Sequence, residues 1–80
     1  RVSSRGDASG ARPISLRGEQ IALDQAVKLA GLADTGGQAK VLVRAGKVHV
    51  NGIVELRPGH KLHAGDKLGD DAGREWIVQA

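Results

Sequence analysis

Apolar positions along this chain change period several times, and each change marks an element. Ile14, Ser15 and Leu16 alternate apolar, polar, apolar, the signature of a short edge strand. Arg17-Gly18-Glu19-Gln20 then reads as a turn. From Leu23 the period becomes helical: Leu23, Ala26, Val27 and Ala30 share one face, with Leu29 at its margin and Asp24, Gln25 and Lys28 opposite. Gly31 is a natural stop for this helix, and Leu32 is placed to plug the core between two helices. A second helix is expected from about Gly36 to Ala45, capped by Asp34 or Thr35 and closed by Gly46. Its apolar face is Ala39, Leu42 and Val43; Lys40 and Arg44 lie one turn apart on the other side.

After Gly46 the period drops to two. Val48-His49-Val50 is a strand with both valines on one side, Asn51-Gly52 a strong two-residue hairpin signal, and Ile53-Val54-Glu55 the returning strand. Arg57-Pro58-Gly59 makes another turn, Lys61-Leu62-His63 a short strand and Ala64-Gly65-Asp66 a third turn. Lys67-Leu68 and Trp76-Ile77-Val78 are expected to pair as a last hairpin across a Gly69–Gly73 loop. Residues 1–13, RVSSRGDASGARP, carry too few large apolar side chains to offset the entropy of ordering. They are expected to form a disordered tail, with residues 14–80 as the folded domain. Arg5-Gly6-Asp7 is read as a chance triplet in that tail, whose arginines Arg1, Arg5 and Arg12 would meet a polyanion without specificity.

Composition narrows the chemistry. The chain has 80 residues, no cysteine and a single aromatic residue, Trp76, so the core is built of aliphatic side chains and modest stability is expected. Absence of cysteine removes disulfides and thiolate metal sites and fits a reducing, cytoplasmic setting. No apolar run approaches the roughly 20 residues of a membrane span, and no signal peptide is visible. The net charge of +3 is unevenly spread: +2 over residues 1–20, +3 over 21–68 and −2 over 69–80. Such a balance suits a polyanion partner, and equally a solvated basic surface.

The local pattern weighs towards the polyanion. In Asp34-Thr35-Gly36-Gly37-Gln38, two glycines open a helix whose first N–H groups have no partner inside the helix, so an anion can approach the backbone without meeting a Cβ. Lys40, Arg44 and Lys47 continue that surface, and Lys28, Arg57 and Lys61 extend it. With one aromatic residue, base stacking is not the main source of affinity, so recognition rests on phosphates, 2′-hydroxyls and RNA shape. His49, His60 and His63 lack the accompanying ligands of a zinc site, and neither a metal nor another cofactor is expected. The chain carries no nucleophile elbow and no phosphate-loop signature, and no enzymatic activity is expected.

Leu23-Asp24, Leu29, Gly31-Leu32, Gln38-Ala39, Leu42-Val43, Gly46-Lys47-Val48-His49-Val50-Asn51-Gly52 and Gly65-Asp66-Lys67-Leu68 together resemble the S4 RNA-binding domain. Thr35-Gly36-Gly37-Gln38-Ala39-Lys40 and Val54-Glu55-Leu56-Arg57-Pro58-Gly59-His60-Lys61-Leu62 look closer to a branch of small stand-alone bacterial proteins related to YbcJ and YaaA. The resemblance covers residues 14–80. It implies an α+β fold, the αL motif, with two short helices packed on a small, mostly antiparallel sheet. It also implies binding to structured RNA, either rRNA or tRNA, on or near the ribosome, by a monomer. Many members carry Ser-Arg where this chain has Thr35-Gly36, so Gly36 and Gly37 N–H groups, with Lys40 and Arg44, are expected to stand in for that arginine. Two other readings stay open: a protein-interaction adaptor on the ribosome, and the RNA-targeting module of a larger RNA-modifying enzyme.

Overall fold

A computed structural model describes residues 11–80. The expected tail therefore lies, for residues 1–10, outside the described residues. The chain runs β1 (Arg12–Ser15), β2 (Ile21–Ala22), α1 (Leu23–Leu29), α2 (Gly36–Arg44), β3 (Val48–Val50), β4 (Ile53–Val54), β5 (Lys61–Leu62), β6 (Lys67–Asp70) and β7 (Glu75–Gln79). This is the expected α+β architecture. Five strands form one sheet in the order β1-β7-β6-β3-β4, antiparallel except where β1 pairs parallel with β7. A second, two-stranded sheet pairs β2 with β5.

Alternation decides which face of the large sheet is buried. Val48, Val50, Leu68, Trp76, Val78 and Ile14 point to one side and are buried. Leu23, Ala26 and Val27 of α1 and Ala39 and Val43 of α2 belong to the same core, with Leu62 of β5 and half-buried Leu16, Ile21, Leu32 and Leu42 around it. Leu32 thus takes the interhelical position expected of it. The outer face carries His49, Gly69, Glu75 and Ile77.

Two contacts explain why the hairpin motif and the later Gly-Asp travel together. Asn51 and Gly52 both adopt positive φ, 53° and 85°, which lets the turn match the twist of β3 and β4. The Asn51 side chain then donates to Asp66 Oδ1 at 3.2 Å and accepts from the Lys67 N–H at 3.0 Å. Asp66 also accepts from the His63 N–H at 2.7 Å. That bond, against some desolvation, holds the Asp66 carboxyl below its ordinary range. Asn51 and Asp66 are therefore clasps between two turns.

The structure differs from the sequence reading at several boundaries. β1 begins at Arg12, so Arg12 and Pro13 belong to a strand. β2 adds a strand between the expected turn and α1, because Ile21 and Ala22 find partners in Leu62 and Lys61. β6 continues through Gly69 and Asp70, which shortens the last hairpin loop. Gly69 lies opposite His49, whose imidazole lies across the Gly69 backbone and fills the space where a Cβ would stand. His63 follows β5 instead of belonging to it.

Candidate nucleic-acid interface

Helix α2 begins with a reciprocal cap. Thr35 Oγ1 accepts from the Gln38 N–H at 3.1 Å, and Gln38 Oε1 accepts from the Asp34 N–H at 2.9 Å. The first intrahelical bond runs from Ala39 N–H to the Thr35 carbonyl at 3.0 Å. Gly36 and Gly37 are left between these bonds, and no acceptor among the described residues reaches either N–H. The first turn of α2 contains no acidic residue, so the positive end of its dipole is not offset there.

The fold itself does not require these two glycines. Neither has the positive φ that would exclude other residues, and a Cβ at Gly36 would meet no atom within 4 Å. At Gly37 it would meet only Thr35 Oγ1, at 3.9 Å. Alanine would start the helix more favourably, since glycine pays more backbone entropy. The pair is a bare patch of backbone on the outside of the molecule.

Lys40 and Arg44 follow on α2 at the i, i+4 spacing that places them on one face, and both are exposed. Neither forms an ion pair among the described residues. Lys47, just past the helix, pairs with Asp71 at 3.6 Å. Lys28 lies in the last turn of α1, next to the linker into α2. Arg57 is drawn back to Glu55, to which its Nε donates at 3.1 Å. That segment reaches α2 by another route, because Val54 and Leu56 come within 3.8 Å of where a Gly46 Cβ would stand. Lys61 sits on β5, beside the start of α1.

The predicted residues thus divide. Thr35, at the N-cap, and Gly36, Gly37, Gln38, Lys40 and Arg44, on α2, lie within ten residues, with Thr35 and Gln38 committed to the cap. Lys28 and Lys47 flank the two ends of α2, while Arg57, in the turn before β5, and Lys61, on β5, lie at the start of α1. Sequence reasoning missed Arg74, which the acidic stretch Asp70-Asp71 masks as part of a negative segment.

The histidines are engaged separately: His49 over Gly69, His60 facing Glu55 at 3.4 Å and His63 beside Asp66. No group of three or more His, Cys, Asp or Glu side chains among the described residues is placed to hold a metal ion. No described helix is long and apolar enough to cross a membrane.

Comparison with known proteins agrees with this architecture. A family model described as S4 domain matches residues 14–75. A Bacillus subtilis (strain 168) protein described as a probable ribosome maturation protein, RlbA, is 43% identical over 56 residues, covering 70% of this chain and 79% of that protein. With the two helices, the hairpin and the Asn51–Asp66 clasp in place, the chain belongs to the S4 domain family.

Proposed function

We propose that this protein is a non-catalytic RNA-binding protein that grips structured RNA, ribosomal or tRNA-like, through the start and basic face of α2. The observation that carries the reading is the Gly36-Gly37 pair. It offers two adjacent N–H groups without an acceptor among the described residues, at positions where the fold would accept side chains, and it leads directly into Lys40 and Arg44, which pair with no described residue. Backbone N–H groups at a helix start bind phosphate oxygens, and the two cations neutralise neighbouring phosphates. Membership of the S4 domain family supports RNA as the polyanion. The relative's description as a probable ribosome maturation protein supports ribosomal RNA as the target and the bacterial cytoplasm as the setting. The protein acts as a monomer in this reading.

Double substitution of Lys40→Ala and Arg44→Ala tests it. Binding to bacterial ribosomal RNA weakens by on the order of 10- to 100-fold at low salt, and the slope of log K against log salt falls by about 1.5 to 2. The thermal midpoint stays unchanged, since both side chains are exposed and pair with no described residue. Unchanged RNA affinity in this variant removes α2 as the interface. The exposed side chains Ile53, Val54 and Leu56 favour a second reading, a protein contact of an adaptor. Co-purification of a partner protein that survives nuclease treatment, and is lost with Leu56→Ser, distinguishes that role.

A further inference from the structure

Arg74 is held in a way that no other exposed cation of the molecule matches among the described residues. Its Nε donates to Asp70 Oδ2 at 2.7 Å, and its guanidinium carbon lies 5.9 Å from the centre of the Trp76 ring. Asp70 is only 5% exposed, and its other oxygen accepts from the N–H groups of Arg74 and Ala72 at 2.8 and 3.1 Å. Burial pushes the Asp70 carboxyl up, but these bonds outweigh it and hold the group ionised below its ordinary range. One edge of the guanidinium is therefore fixed. The side chain is still 59% exposed, and its terminal nitrogens donate to nothing among the described residues. An arginine fixed by its inner edge presents its outer donors with little entropy left to lose.

Arg74 borders a cleft of about 270 Å³ between α2 and the β6–β7 turn. Leu32, Leu42 and Val48 line it, and Arg74, Lys47 and Asp71 border it. Lys47 faces Asp71 across 3.6 Å, with side chains 55% and 63% exposed. A pair so wet contributes little to stability and is readily exchanged. Lys47 also follows directly on the basic face of α2.

We infer that Arg74 and Lys47 form a second RNA-backbone contact in this cleft, with Asp70 as the positioning residue for Arg74 and Asp71 as a stand-in for phosphate on Lys47. The inference rests on the RNA-binding reading above and extends its footprint from α2 to the β6–β7 turn. An arriving phosphate displaces the Asp71 carboxylate from Lys47 and meets the outer edge of Arg74. Asp71 thereby sets the affinity: it keeps Lys47 neutralised until a stronger anion arrives.

The test titrates bacterial ribosomal RNA with the full chain over a salt series. Asp71→Asn tightens binding about five-fold at low salt and steepens the salt slope by about 1. Glu75→Gln removes the same charge from the outer face of the sheet and has a smaller effect with no change in slope. Arg74→Lys keeps the charge beside Asp70, loses the planar fork, and weakens binding about ten-fold at unchanged slope. Equal effects of Asp71→Asn and Glu75→Gln overturn the inference, as does full affinity in Arg74→Lys. Asp71 is exposed, so its variant reports even where Arg74→Lys loses stability. The Lys40→Ala, Arg44→Ala double variant separates the two failures. If it weakens binding while the cleft variants do nothing, the cleft is wrong and the α2 reading stands. If all of them leave binding unchanged, the α2 reading falls together with the cleft; if the unaltered chain does not bind the RNA, the RNA reading itself falls.

Discussion

Helix α1 starts against protein, and helix α2 starts against solvent. At α1 the residue before the helix is Ala22, which has no side chain to cap with. The free N–H groups are met instead by the turn that precedes β5: Leu23 donates to the His60 carbonyl at 2.8 Å and Asp24 to the Pro58 carbonyl at 3.0 Å. Gln25 N–H completes the set by donating to Asp24 Oδ1 at 2.9 Å. At α2 a Thr35–Gln38 side-chain cap serves the flanks and leaves Gly36 and Gly37 with N–H groups that no described residue takes up. Both helices face the same rule, that early N–H groups need acceptors. One solves it internally and becomes structural. The other leaves part of the requirement open, which is what a binding surface for an anion needs.

The sharpest way to break that contrast is to close the open end. Gly36→Ala with Gly37→Ala puts Cβ atoms where the fold has room for them. Thermal stability rises by about 0.5 to 1 kcal/mol per site, while RNA affinity falls by about ten-fold, the loss of a hydrogen bond to a charged group. Affinity and stability then move in opposite directions, which a merely structural turn would not produce. Loss of both together, measured by titration and thermal melts, would mean that the glycines serve the fold.

The caps themselves give a smaller effect. Thr35→Ala removes the bond to Gln38 N–H and costs about 1 kcal/mol in denaturant unfolding. Adding a hydroxyl at the other helix, Ala22→Ser, gains roughly nothing, because its N–H groups already have acceptors. A gain as large as the Thr35 loss would contradict the turn's role at α1.

Acid offers a finer distinction. Glu55 clasps the turn over α1: its carboxylate accepts from the side chain and the N–H of Arg57, both at 3.1 Å. The Arg57 side-chain bond, then the backbone bond, lower its pKa from the ordinary 4.5. A carboxyl lowered in the folded state contributes stability that is full above its ordinary value and fades as pH drops through the folded one. Protection of the Leu23 and Asp24 amides against hydrogen exchange, corrected for intrinsic rates, therefore declines below about pH 4.5. Gly36 and Gly37 exchange without protection at every pH.

The difference between the two helix starts also governs what the sequence could reveal. Thr35, Gly36-Gly37 and Gln38 lie within four residues of one another, so the cap and the bare backbone are legible as a local pattern. The same holds for Asn51-Gly52, whose turn type is written in two residues. The cap of α1 comes from carbonyl groups more than 30 residues downstream, and a carbonyl carries no residue identity for a sequence to show. The parallel pairing of β1 with β7 joins the two ends of the described chain and is silent for the same reason. β2 is two residues long, too short for any period, and exists because Leu62 and Lys61 arrive beside it. Gly69 reads as a loop residue until His49 is seen lying across it on the neighbouring strand. The basic face of α2 follows from helical spacing. Arg74 escapes because its importance depends on a buried partner, Asp70, that looks like one more acid in a negative run.

The most direct test of the open helix start is an amide-resolved NMR titration with bacterial ribosomal RNA fragments. The Gly36 and Gly37 N–H resonances are expected to shift and gain protection from exchange as RNA is added, together with the Lys40 and Arg44 signals. Over the same titration Leu23 and Asp24, already bonded to His60 and Pro58 respectively, stay unchanged. RNA binding that leaves Gly36 and Gly37 unperturbed while other residues shift would contradict it.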